Sequence, residues 1–128
     1  MKLLQEKYKS HPWKMMVCCI LLNQTNNKQV SGVIDELFEK YKSSAEMQKA
    51  DKKELSELLK PLGLYNKRAE TLKIFSKDFD ENVGTKWTKI SDCYGIGQYG
   101  QDSWDIFIEN KLDIKPTDKK LKAYLNRL

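Results

Sequence analysis

An all-α domain is predicted by three features of this 128-residue chain: strand-like alternation is weak throughout, apolar residues recur at helical spacing, and its most unusual local sequence is a glycine-rich turn between two helical stretches. With 40% hydrophobic residues the chain can build one core, so residues 1–128 are read as a single compact domain.

Each helix has its own signal. Pro12 suits a first helical turn, and Trp13 to Leu22 is apolar nearly all round, as in a helix buried mid-domain. Val30, Val33, Ile34, Leu37, Phe38 and Tyr41 follow the i, i+3, i+4, i+7 pattern of an amphipathic helix. Asp51 and Glu54 form a capping-box variant opening a short helix through Leu55, Leu58 and Leu59, which Pro61 and Gly63 end. Tyr65, Ala69, Leu72, Phe75 and Phe79 predict a helix of about four turns, broken near Gly84. Trp87 to Cys93 is expected to be a short helix. The turn Gly95-Ile-Gly-Gln-Tyr-Gly100 follows, then Trp104, Phe107 and Ile108 at helical spacing. Pro116 fixes a turn, and Thr117 or Asp118 starts a last helix carrying Leu121, Tyr124, Leu125 and Leu128.

The net charge of +5 favours a polyanionic partner, and its distribution sharpens that reading. Residues 115–128 hold Lys115, Lys119, Lys120, Lys122 and Arg127 against the single acid Asp118. Cys18, Cys19 and Cys93 are odd in number and lack metal-ligand spacing, which fits reduced packing residues of an intracellular protein. The longest uncharged apolar run, Met15 to Leu22, is far short of the roughly twenty residues that span a bilayer. The N-terminus carries charges throughout and no signal-peptide core. His11 has no second ligand in view and is expected to be a capping or surface group, so no metal site is predicted.

Two constellations can carry chemistry. The hairpin at Gly95 and Gly97 lets backbone N–H groups approach an anion without Cβ obstruction, and the helix after it adds its positive end, an arrangement suited to a DNA phosphate. An interhelical turn needing glycine only for its dihedrals would look the same. Asp118 follows Pro116 at a helix start, where the dipole favours a negative charge that could stabilise a developing cation. Most acids in such positions only cap their helix.

The order of the pieces separates these readings. His11-Pro-Trp-Lys-Met-Met, Leu22-Asn-Gln-Thr25, Leu59-Lys-Pro-Leu-Gly-Leu-Tyr65, Gly95-Ile-Gly-Gln-Tyr-Gly100 with Asp102-Ser103, and Pro116-Thr-Asp-Lys-Lys-Leu121 run in sequence over nearly the whole chain. Together they resemble the helix-hairpin-helix (HhH-GPD) DNA glycosylases, and the wording is similar to the glycosylase domain of the methyl-CpG-binding-domain thymine glycosylases. The resemblance implies a helix-hairpin-helix fold of about eight to ten helices and a monofunctional enzyme that flips thymine or uracil out of G·T or G·U pairs and excises it.

It also implies residue roles. Asp118 would stabilise the oxocarbenium-like sugar and position or deprotonate the attacking water. Tyr99 stands where endonuclease III and other bifunctional relatives carry a Schiff-base lysine, so it would line the pyrimidine pocket and leave the strand uncut. Gln24 would fill the hole left by the flipped base, where the similar branch has an arginine and many other members a glutamine; the charge-assisted phosphate contacts of the arginine are lost. Leu64 matches a wedge that enters the stack from the opposite side. Gln5 aligns with a glutamine that contacts the target base, and Lys119 and Lys120 would hold phosphates. No cofactor is implied: the iron–sulfur cluster of some relatives needs four cysteines near the C-terminus, and none follows Cys93. The implied partner is duplex DNA with a mismatched or deaminated pyrimidine, bound by a monomer, in the nucleus of a eukaryote or otherwise with the intracellular DNA. Two other classes stay open at this point, a non-catalytic helix-hairpin-helix DNA-binding module and a helical protein-interaction domain.

Overall fold

A computed structural model of the chain describes residues 2–82 and 89–128. These residues form eight α-helices and no strand: α1 (Leu4–Tyr8), α2 (Pro12–Leu22), α3 (Asn27–Lys40), α4 (Ser44–Gln48), α5 (Lys52–Leu59), α6 (Tyr65–Asn82), α7 (Gln98–Phe107) and α8 (Lys119–Asn126). Two 3-10 turns, Lys60–Leu62 and Ile90–Asp92, join them. None of the described helices is long and apolar enough to cross a membrane.

Helix α2 is the hub because its sequence leaves it no polar face. Met15, Met16, Val17, Cys18 and Leu21 are fully enclosed, and α2 contacts α1, α3, α6 and α7. Around it the apolar stripes of α3, α5 and α6 turn inward, with Val30, Leu37, Leu55, Leu59, Leu72 and Phe75 buried. Helix starts are fixed by their own side chains. Asn26 and Gln29 form a reciprocal capping box on α3, while Ser43, Asp51 and Asp118 each accept from the backbone N–H three residues on.

A second, smaller cluster positions the C-terminus. Leu3, Ile106 and Leu121 are buried together, with Tyr99, Ile114 and Leu125 packed against them, and the Phe107 and Tyr124 rings lie 4.8 Å apart. The last helix is thereby clamped between the N-terminal segment and α7, which holds its first residue beside the glycine hairpin.

Three expectations need correction. The helix expected over Trp87–Cys93 is, in its described part, only the 3-10 turn Ile90–Asp92; Trp87 and the expected break at Gly84 lie outside the described residues. The backbone N–H of Ser91 donates to Gln101 Oε1 at 2.8 Å, so a side chain of α7 takes a donor that a longer helix would use. Helix α6 runs eighteen residues, longer than four turns. Gly100 belongs to α7 and not to the hairpin: a Cβ there would sit 2.8 Å from Ile96 Cγ2, so glycine is needed to let the hairpin fold back on the helix. His11 occupies the N-cap position of α2, exposed and with no side-chain capping bond among the described residues.

Candidate active site

One cavity of about 1010 Å³ opens where four chain segments meet: the turn after α2, the turn before α6, the glycine hairpin and the start of α8. Gln24, Leu64, Gly95, Gly97, Tyr99, Asp118, Lys119 and Lys120 all line it. These residues lie as far apart as positions 24 and 120, so the fold gathers all but one of the residues singled out from sequence. Gln5, the exception, lies behind the wall.

The first two turns are strained. Gln24 has φ 64° and Leu64 φ 47°, in the left-handed region where a Cβ costs roughly 1–2 kcal/mol per residue. Leu64 is also 59% exposed, a large apolar side chain standing in water. Backbone strain of this kind clusters at functional sites. Gly63, at φ 74°, makes the bend that projects Leu64.

The hairpin glycines differ in purpose. Gly95 has φ 84°, and a Cβ on it would lie 2.9 Å from Thr71 Cγ2 of α6, so the fold itself requires glycine. Gly97 has an ordinary extended backbone, and a Cβ there would meet nothing within 4 Å. Among the described residues nothing demands glycine at 97, and its lack of a Cβ leaves the approach to the start of α7 open. That helix start has no side-chain cap among the described residues, which leaves its first N–H groups facing the cavity. Gly97→Ala is therefore expected to leave the melting temperature unchanged while weakening DNA binding about tenfold. Gly95→Ala should destabilise the domain by at least ~1–2 kcal/mol through its φ alone. Thermal melts and a fluorescence titration with duplex DNA check both; an alanine at 97 that binds like wild type would remove the anion role of the hairpin.

Asp118 is half-buried. Its Oδ2 accepts from the backbone N–H of Leu121 at 2.9 Å, and its Oδ1 makes no hydrogen bond among the described residues. The cap thus takes one oxygen of the carboxylate and leaves the other unbonded among the described residues. Tyr99 is half-buried on α7, and its hydroxyl accepts from Gln5 Nε2 at 2.6 Å; Gln5 Nε2 also reaches Ser103 Oγ at 3.2 Å. Burial, reinforced by the neighbouring Cys19 thiol, pushes the Tyr99 phenol well above its usual range, so it stays neutral. Its oxygen accepts from Gln5, which leaves its own hydrogen free to donate. Gln5 is 1% exposed, and its Oε1 is buried without a partner among the described residues. Cys19, on the cavity wall, is pushed up to about 12 by burial, and Cys18 also rises; these thiols are packing groups and poor nucleophiles.

The rim is basic. Lys67, Lys119 and Lys120 line the opening, exposed and without an ion pair among the described residues. Lys67 was not visible from sequence as part of a site, nor was Arg68. Arg68 lies on the apolar face of α6, three residues after Tyr65 and four before Leu72, and is only 7% exposed. An arginine at a core position of a helix is the signal that could have singled it out.

Comparisons with known proteins bear on the family and the fold. Residues 17–128 match the model of the HhH-GPD superfamily base excision DNA repair proteins. The chain is 34% identical over 127 residues to a methyl-CpG-binding domain protein 4-like protein of Arabidopsis thaliana, covering 98% of this chain and 28% of that protein. It is 33% identical over 92 residues to a thymine/uracil-DNA glycosylase of Methanothermobacter thermautotrophicus, covering 69% of this chain and 42% of that one. Its fold superposes on the structure of a thermostable thymine-DNA glycosylase with a TM-score of 0.76 at 26% identity, over 87% of this chain and 52% of the other. The chain thus spans less than half of either curated relative.

Proposed function

The chain belongs to the HhH-GPD superfamily of base excision DNA repair proteins, and from that premise we propose that residues 1–128 form a monofunctional DNA glycosylase domain excising thymine or uracil from G·T and G·U pairs. The observation that carries the reading is the convergence of Asp118, Tyr99, Gln24 and Leu64 on one cavity with a lysine rim.

The target nucleotide turns out of the duplex into the cavity, since its glycosidic bond cannot be reached within the stack. Leu64 enters from one side and Gln24 fills the vacated space, its amide able to bond the orphaned base. Tyr99 donates its free hydrogen to a pyrimidine oxygen, and Gln5 holds the phenol from behind. The C1′–N1 bond breaks with its electron pair leaving on the base, and the sugar turns cationic beneath the Asp118 carboxylate. Water adds to C1′ and gives its proton to that carboxylate, which leaves an abasic site in an uncut strand. Tyr99 brings no amine to form a Schiff base. Lys67, Lys119 and Lys120 hold phosphates, and the protein works as a monomer, in the nucleus where the cell has one.

The experiment is excision from oligonucleotides carrying G·T, G·U and the matched G·C pair, followed by hot alkali. Release from the first two and not the third is expected; release from none would end the proposal. The three rim lysines give binding a log–log salt slope of about −2.7, or roughly a 40-fold loss from 50 to 200 mM salt. A flat response would remove the phosphate role of the rim.

A further inference from the structure

Arg68 ties the two strained turns to each other. Its Nε donates to the carbonyl oxygen of Gly63 at 2.9 Å, and its Nη1 donates to that of Asn23 at 3.2 Å, forty-five residues away in the chain. Gly63 immediately precedes Leu64, and Asn23 immediately precedes Gln24. Among the described residues no other hydrogen bond joins the two turns. The guanidinium is buried and has no carboxylate partner among the described residues, and burial lowers its pKa. The two carbonyls are the groups that compensate a charge the interior would otherwise leave unsatisfied.

The other hydrogen bonds of the two turns are local. Thr25 bonds back to the Leu21 carbonyl at 2.5 Å, and the backbone N–H of Arg68 donates to the Leu64 carbonyl at 2.8 Å, and each of these acts within its own turn. A planar guanidinium offers donors in a rigid fork, which a flexible ammonium does not, and so can fix two acceptors at a set separation.

We propose that Arg68 is a positioning residue that sets the spacing between Gln24 and Leu64, so that the two side chains enter the base stack as one preformed unit. The proposal rests on the reading that both side chains insert into DNA. Steps along a strand have a fixed rise of about 3.4 Å, so two insertions must be in register with the duplex and with each other. Turns locked before contact lose little freedom on binding.

The test is a double-mutant cycle read by affinity, so that it does not depend on excision. Binding to a G·U duplex is measured by fluorescence anisotropy for Arg68→Met in the wild-type background and in the Gln24→Ala/Leu64→Ala background, with thermal melts of each. In the wild-type background, Arg68→Met is expected to weaken binding at least tenfold. It should raise the half-saturating protein concentration in single-turnover excision equally and leave the rate at saturation within threefold. Where both inserting side chains are already gone, the same change should alter affinity less than twofold. Equal losses in the two backgrounds would overturn the proposal, because Arg68 would then act on DNA directly; so would unchanged affinity in the first. Should the methionine variant fail to fold, Arg68→Lys decides by the same comparison, with a loss of threefold or more expected in the wild-type background alone. If wild type binds the duplex and shows this coupling yet excises nothing, the enzyme reading fails and the positioning role stands.

Discussion

Asp118→Asn should lower single-turnover excision on the order of a thousandfold, with DNA affinity equal to or tighter than wild type. On the proposed mechanism the size follows from what the carboxylate supplies, a negative charge next to a sugar that becomes cationic and a site for the proton of the attacking water. An amide offers neither. Asparagine is the informative substitution because Asp118 has a second task, accepting from the Leu121 N–H as the N-cap of α8. Asparagine caps a helix as well as aspartate does, so the last helix and its Leu121 anchor should stay in place. Alanine would remove the cap as well, costing about 1 kcal/mol and mixing a stability effect with a chemical one. The change also removes a negative charge from beside the rim lysines, which on the proposed reading hold phosphates, hence the prediction that binding does not suffer. Wild-type rates in the asparagine variant would remove Asp118 from the chemistry, and a lowered melting temperature would show that the cap had not been preserved.

Elements whose apolar residues repeat over several turns were legible in the sequence. Helices α3, α5 and α6 follow from such stripes, and the almost entirely apolar run of α2 predicts its burial at the centre. Helices α1 and α4 were not seen because five residues are too few for a period to show. For α4 a signal did exist: Ser43 with Glu46 three residues later is a capping pattern, and the Ser43 hydroxyl indeed accepts from Glu46 N–H. Gly100 misled because glycine suggests a turn, whereas its reason here is the Ile96 side chain lying against the helix. The cavity lining was legible in its motif residues, whose order is characteristic. The links between motifs were not. Gln5 reaches Tyr99 only because α1 packs on α7, and Arg68 joins two turns whose closeness is a product of the whole fold. Positive φ at Gln24 and Leu64 could not be read from residues that ordinarily avoid it.

The strand left after base release should remain whole until hot alkali cuts it, and borohydride added during the reaction should trap no protein–DNA adduct. Strand cleavage by a glycosylase of this superfamily needs a neutral amine that attacks C1′ and forms a Schiff base. At the hairpin position that would supply it stands Tyr99, whose oxygen accepts from Gln5 and whose phenol is kept protonated by burial. Even its ionised form would give an ether-like adduct with no imine to drive elimination. The lysines of the cavity, Lys67, Lys119 and Lys120, stand on the exposed rim and not in the desolvated setting that turns a lysine into a nucleophile. Tyr99→Phe separates the contact from the missing amine. It keeps the ring and the packing on both apolar clusters but deprives Gln5 Nε2 of its 2.6 Å partner, leaving Ser103 at 3.2 Å. One lost hydrogen bond to the base and one to Gln5 should slow excision about tenfold, or ~1.4 kcal/mol, and still leave the strand uncut. Breakage without alkali that rises with protein concentration in both wild type and the phenylalanine variant would show that another amine reaches C1′, and the assignment of a hydrolytic, single-step reaction would have to be abandoned.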